Sequence, residues 1–149
     1  MSAIEQLQEK FNGRIEFFKH NHRRYYIKIA AADLREVIRF IFSQLGARLS
    51  TCSAVDTRAG FEVLYHLSID KEGILCTIKA LAPRDNPTLD SICDIIAGAE
   101  WIELEMNELM GINFNGNPRT RPFLLADDFP ENLYPLRKSH DPEKDKKND

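Results

Sequence analysis

Between Phe61 and Lys79 the chain alternates apolar and polar residues twice, on either side of a short glycine-containing turn. Phe61, Val63, Tyr65, Leu67 and Ile69 fall on one side of an extended segment, with Glu62, His66 and Asp70 on the other. After Lys71-Glu72-Gly73 the pattern resumes: Ile74, Cys76 and Ile78 alternate with Leu75, Thr77 and Lys79. Side chains of a strand point to opposite faces in turn, so this stretch predicts a β-hairpin with one apolar face. That face must be covered by another layer, and the rest of the chain has to supply it.

The clearest cover is Asp33–Gly46. Leu34, Val37, Ile38, Ile41 and Leu45 form an apolar stripe at helical spacing, opposite Arg35, Arg39 and Ser43. Asp33 with Glu36 three residues on resembles a capping box, and Gly46 is a natural stop. Ile4, Leu7 and Phe11 predict a shorter first helix. Arg14–Phe18 and Arg24–Ile29 read as strands across a turn at His20-Asn21-His22, and about Arg48–Val55 reads as a weakly patterned strand. Leu89, Ile92, Cys93 and Ile96 begin a helical pattern that breaks near Gly98 and resumes through Met110, with Gly111 as the stop. The expected fold class is α+β: a two-layer sandwich, a mixed sheet of about five strands with helices on one face, and an extended C-terminal arm.

Residues 1–112 make the predicted core domain, 113–138 the arm and 139–149 a charged tail expected to be disordered. From Asn113 to Arg137 no helical or strand period is visible. Pro118, Pro122, Pro130 and Pro135 favour extended backbone, yet Phe114, Phe123, Leu124, Leu125, Phe129, Leu133 and Tyr134 are too apolar for a solvated tail.

Several chemistries lack their residues. A formal net charge of -3 gives no basic stripe for nucleic acid. The three separated cysteines, Cys52, Cys76 and Cys93, argue against a disulfide framework, for a reducing compartment and against iron–sulfur ligation. His20 and His22 form the nearest thing to a metal pair and read better as a solvated turn. No glycine-rich phosphate loop or nucleophile elbow is present. Met1–Phe11 has no apolar signal core, and no apolar run approaches the roughly 20 residues needed to span a bilayer.

What remains is the acidic helix Ala99–Met110. Ile102, Met106, Leu109 and Met110 make its apolar stripe, with Trp101, Leu104, Glu105 and Glu108 opposite. Glu103 points beside the apolar stripe, where a carboxylate is costly unless paired or hydrogen-bonded. The carboxylates can be a solvated face, the acid/base pair of a small hydrolase using helix 99–110, or a docking surface in which an exposed Trp101–Leu104 pair anchors a basic partner. The exposed Trp–Leu pair favours docking.

From Phe61 to Lys138 the sequence resembles the 30-kDa subunit family of respiratory NADH:quinone oxidoreductase, which includes the related subunit of energy-converting [NiFe] hydrogenases. The residues that carry the match are Phe61-Glu-Val-Leu-Tyr-His-Leu67, Ala99-Glu-Trp-Ile-Glu-Leu-Glu105 and Glu108-Leu-Met-Gly-Ile112. Phe114, Gly116, Pro118, Arg121, Leu124, Asp127-Asp-Phe-Pro130 and Pro135-Leu-Arg-Lys138 continue it. Leu104 replaces the arginine of the family's Glu-Arg-Glu. Glu108 stands for an aspartate, Met110 for an aromatic, Asn117 for a histidine and Arg119 for an acidic residue. These departures suggest a divergent branch of the family; the short chain, the Arg121–Pro130 run and the lost arginine lean toward a hydrogenase-type complex.

The resemblance implies a non-catalytic accessory subunit that binds no cofactor itself. Iron–sulfur clusters, and [NiFe] in the hydrogenase branch, would sit in partner subunits. The implied partners are the large [NiFe]-hydrogenase-like or quinone-site subunit and the iron–sulfur subunits. The place implied is the cytoplasmic face of the cytoplasmic membrane, reached through those partners without insertion. The docking set expected here is Trp101, Leu104, Glu105, Glu108, Phe114, Pro118, Arg121, Phe123, Leu124, Pro135, Arg137 and Lys138. Arg137 and Lys138 would meet carboxylates on the neighbour or stand as a solvated basic pair. A stand-alone adaptor domain is the competing reading.

Overall fold

The computed structural model describes residues 1–119 and 122–139; Arg121 and the tail from His140 onward lie outside the described residues. Helix α1, Ala3–Lys10, starts at a capping box that apolar spacing alone does not reveal: Ser2 Oγ accepts from the Glu5 amide and Glu5 from the Ser2 amide. Strands β1 (Ile15–Asn21) and β2 (Arg24–Ile29) follow as a hairpin. A short 3-10 turn, Ala31–Asp33, leads into α2, Leu34–Ser43. The expected cap at Asp33 is corrected here. The turn leaves Asp33 with φ -88° and ψ -9°, already helical, and its side chain caps nothing. An N-cap side chain reaches the first-turn amides from extended backbone. Asp33 and Glu36 both pair with Arg14 instead.

Strands β3 (Arg48–Asp56), β4 (Gly60–Ile69) and β5 (Ile74–Pro83) form an antiparallel meander. The predicted turn closes β4 onto β5 with Ile69 opposite Ile74. β2 joins β5 in parallel, giving one mixed sheet in the order β1-β2-β5-β4-β3. The alternation in β4 decides which face is covered: Phe61, Val63, Tyr65 and Leu67 are fully buried, while Glu62, Leu64, His66 and Ser68 are half-buried. Buried residues of α1 and α2 share one core with the buried side of the sheet. The other face is open and carries Phe18, Val55 and Leu81.

The segment after β5 departs from expectation. Thr88–Asp90 is a short strand, β6, rather than the start of a helix; α3 begins only at Ala99 and ends at Met110. β6 pairs in parallel with β7, Asn113–Asn115, so the stretch after α3 begins with a strand and not with free arm. The apolar spacing of Leu89, Ile92 and Ile96 suits a helix, but it suits equally an extended piece followed by turns, and all three residues are buried that way. Phe114 enters the core beside Leu89.

Candidate docking surface

Helix α3 buries two sides. Met106 and Met110 join the core over the sheet, while Glu103 and Leu104 are buried beneath the chain that follows the helix. Glu103 is fully buried, and its carboxylate is held by three donors: Ser91 Oγ at 2.5 Å, the Ile92 amide at 2.8 Å and Asn117 Nδ2 at 2.9 Å. The condition set by its sequence position is met. Burial pushes the Glu103 carboxyl up, against the pull of those three hydrogen bonds. Asn117 also donates to the Glu100 carbonyl at 3.0 Å. Arg35 donates to the Ser91 carbonyl and pairs bidentately with Asp94, so α2, the turn at residues 91–94, α3 and the chain after β7 form one polar network. Asp94 is held down to about 2 by Arg35.

Leu104 is 6% exposed, which corrects the expected exposed Trp–Leu pair. It lines a cleft with Pro118, Arg119 and Phe123, residues that a helical wheel drawn on α3 cannot see. Trp101 is 43% exposed, and its ring meets two residues from the later chain. The Arg119 guanidinium lies 3.6 Å from the ring centroid, and the Phe123 ring is 4.8 Å away. Arg119 also pairs with Glu100 at 2.7 Å.

Glu108 is not a free acidic contact. Its carboxylate accepts from the Phe123 amide and, at 2.7 Å, from the Leu124 amide, pinning the later chain across the helix. Glu105 is exposed and makes no hydrogen bond or ion pair among the described residues. The distal end of the arm returns to the core. The Leu136 amide donates to the Leu109 carbonyl at 3.0 Å, and Arg137 Nε to the Met110 carbonyl at 2.7 Å. The Lys138 amide donates to Asp56 at 3.0 Å. Arg137 also lies over Tyr134 and Phe61, so it is engaged within the chain, contrary to the expected pairing with a neighbour.

Gly111 makes this return possible. It has φ +72°, and a Cβ there would come within 2.5 Å of the Arg137 side chain and 2.7 Å of the Tyr134 ring.

Of the expected docking set, Trp101, Phe123 and Leu124 therefore come together as an exposed apolar ridge, the last two 47% and 51% exposed. Pro118 is exposed and Pro135 half-buried; Phe114 is buried in the core. Among the groups that fix the arm, Asn117 is noted in the sequence only as a departure from the family's histidine, and Ser91 and Asp56 do not stand out at all. The demand of Glu103 for donors is the one signal pointing to Ser91 and Asn117, and nothing in the sequence points to Asp56.

The comparisons with known proteins agree with this architecture. Residues 27–146 match the model of the respiratory-chain NADH dehydrogenase 30-kDa subunit. The chain is similar to the beta subunit of a membrane-bound hydrogenase from Pyrococcus furiosus, with 30% identity over 92% of this chain and 86% of the relative. The corresponding NADH-quinone oxidoreductase subunit from Geobacter metallireducens is 31% identical over 93% of this chain and 87% of its own. In the solved structure of the membrane-bound sulfane sulfur reductase, an archaeal respiratory membrane complex, one chain superposes with a TM-score of 0.86. It is 27% identical, and the match covers 97% of this chain and 87% of that one. With most of its length matched by one family model and by relatives of similar size, the chain belongs to the family of the 30-kDa subunit of respiratory-chain NADH dehydrogenase.

Proposed function

We propose that this protein is a non-catalytic structural subunit of a membrane-associated electron-transfer complex, of the energy-converting [NiFe] hydrogenase or NADH:quinone oxidoreductase type. In that role it docks on the large catalytic subunit and fixes its orientation. The observation that carries the reading is the ridge of Trp101, Phe123 and Leu124, three large side chains left about half exposed, the first on helix α3 and the other two on backbone held by Glu108. Aromatic and aliphatic anchors on prefixed backbone suit an interface, because little conformational freedom is lost on binding. The family supports a place inside a complex, since the relatives are named as subunits of hydrogenase and quinone oxidoreductase assemblies.

The electron carriers, iron–sulfur clusters and in the hydrogenase case [NiFe], belong in this reading to the partner subunits. No helix among the described residues is long and apolar enough to cross a membrane. In this reading, attachment to the cytoplasmic face runs through those partners. The test is the double variant Phe123→Ser with Leu124→Asp. Both side chains are exposed, so thermal unfolding is expected to shift little, whereas recovery of the large subunit with the tagged chain falls about thirtyfold. Full recovery from a folded variant would refute docking through this ridge.

A further inference from the structure

We infer that strand β3 accepts an extended segment donated by a partner polypeptide, which adds to the sheet as a sixth strand. β3 is the last strand of the sheet, and among the described residues no backbone group bonds its outer edge. In an antiparallel pair alternate residues turn their N–H and C=O groups away from the neighbour, so β3 presents a row of unmet donors and acceptors. Natural sheets guard such edges with charges, proline or short strands. The opposite edge, β1, is guarded, with Glu16 and Lys19 along its seven residues. β3 runs for nine; its register shifts between Leu49 and Thr51, and beyond that irregularity, from Thr51 to Val55, it holds no charge, proline or glycine.

Beside this edge lies a groove of about 210 Å³ between β3 and α3, lined by Cys52, Ala54, Ile102, Met106 and Leu109, with Leu136 as a lip. Main-chain pairing supplies affinity in strand addition, and pockets for alternate side chains supply selectivity. The groove takes the inward-facing apolar side chains of the incoming strand. Glu105, at the groove and without an ion pair among the described residues, calls for a lysine or arginine on that strand. A second copy of β3 fits poorly. Its inward residues include the small Cys52 and Ala54, and its one cation, Arg48, is bound to Asp70 at 2.7 Å.

This inference rests on the docking proposed above, whose face it extends through Glu105 and Leu136. Amide exchange of the peptide spanning Arg48–Asp56 tests it, compared between the isolated full-length chain and the intact complex purified through that chain. The expected result is fast exchange of alternate β3 amides in the isolated chain, slowed at least about tenfold in the complex. Equal exchange in an intact complex overturns the strand addition and leaves docking standing. Protection already present in the isolated chain also overturns it: if lost on ending the chain at Ser139, the occupant is the chain's own tail, and if concentration-dependent, a second copy. Failure to recover any large subunit sinks the docking reading, and strand addition falls with it.

Discussion

Helices α2 and α3 sit in one small domain and solve opposite problems. α2 buries one stripe, Leu34, Val37, Ile38 and Ile41, against the sheet and turns Glu36 and Arg39 outward. α3 is enclosed from two directions, by the sheet beneath Met106 and Met110 and by its own downstream chain over Glu103 and Leu104. The first helix needs only a sheet to pack on. The second needs the chain that follows it to come back, and that returning chain also builds the exposed ridge.

If the polar lock in α3 matters as much as the apolar stripe in α2, deleting either should cost about the same. Ile38→Ala removes fully buried methyl groups and is expected to cost roughly 3 kcal/mol. Glu103→Ala leaves the Ile92 amide, the Ser91 hydroxyl and the Asn117 amide without their acceptor, and is expected to cost about 3 kcal/mol. Urea denaturation of both variants checks the pair, and a loss below about 1 kcal/mol for Glu103→Ala would break the comparison.

A smaller effect is expected where the chain returns. Gly111→Ala strains a left-handed residue and pushes on Arg137 and Tyr134, for a loss of about 1–2 kcal/mol. Proteolysis should then open the segment around Tyr134–Lys138 while α2 stays protected. Equal protection of that segment in the variant would show that the return tolerates a side chain at position 111.

The smallest effect is in pH dependence. The Glu103 carboxyl lies above its ordinary value of 4.5, so the folded chain keeps a proton that the unfolded chain gives up. Stability from this group is present below that value and declines as pH rises through the raised one. Asp94, held near 2, works in the other direction: its contribution is present above its ordinary 3.8 and is lost as pH falls toward about 2. Glu103→Gln should therefore flatten the decline in stability that sets in as pH rises above the ordinary value of 4.5, read from urea midpoints at each pH. An unchanged slope would mean that Glu103 is not the group titrating there.

The contrast also explains what can be read from the sequence. The hairpin of β4 and β5 and the stripe of α2 are visible because a single period tells which side is buried, and one covering layer is enough. The second side of α3 stays hidden because a helical wheel knows only its own residues. Whether Leu104 meets water depends on Pro118, Arg119 and Phe123. The same non-locality conceals Glu108, which looks like a surface charge until the Phe123 and Leu124 amides arrive above it. Leu89–Ile96 misleads for a different reason: a short apolar run carries no information on whether it coils or extends. Helix pattern and resemblance together single out Trp101, Phe123 and Leu124, but the division of that expected set into residues that anchor the arm and residues left exposed is not visible in the sequence.

Phe61 shows how one end of the core is closed by charged residues. It is fully buried, yet the groups over its ring are the Arg84 and Arg137 guanidiniums, 5.0 Å and 4.7 Å from its centroid. Guanidinium planes shed water readily on their flat sides and keep it at their rims. That end of the molecule is thus sealed by a lid that is dry inside and wettable outside. It therefore closes with the chain's own residues and needs no second polypeptide to keep water from Phe61.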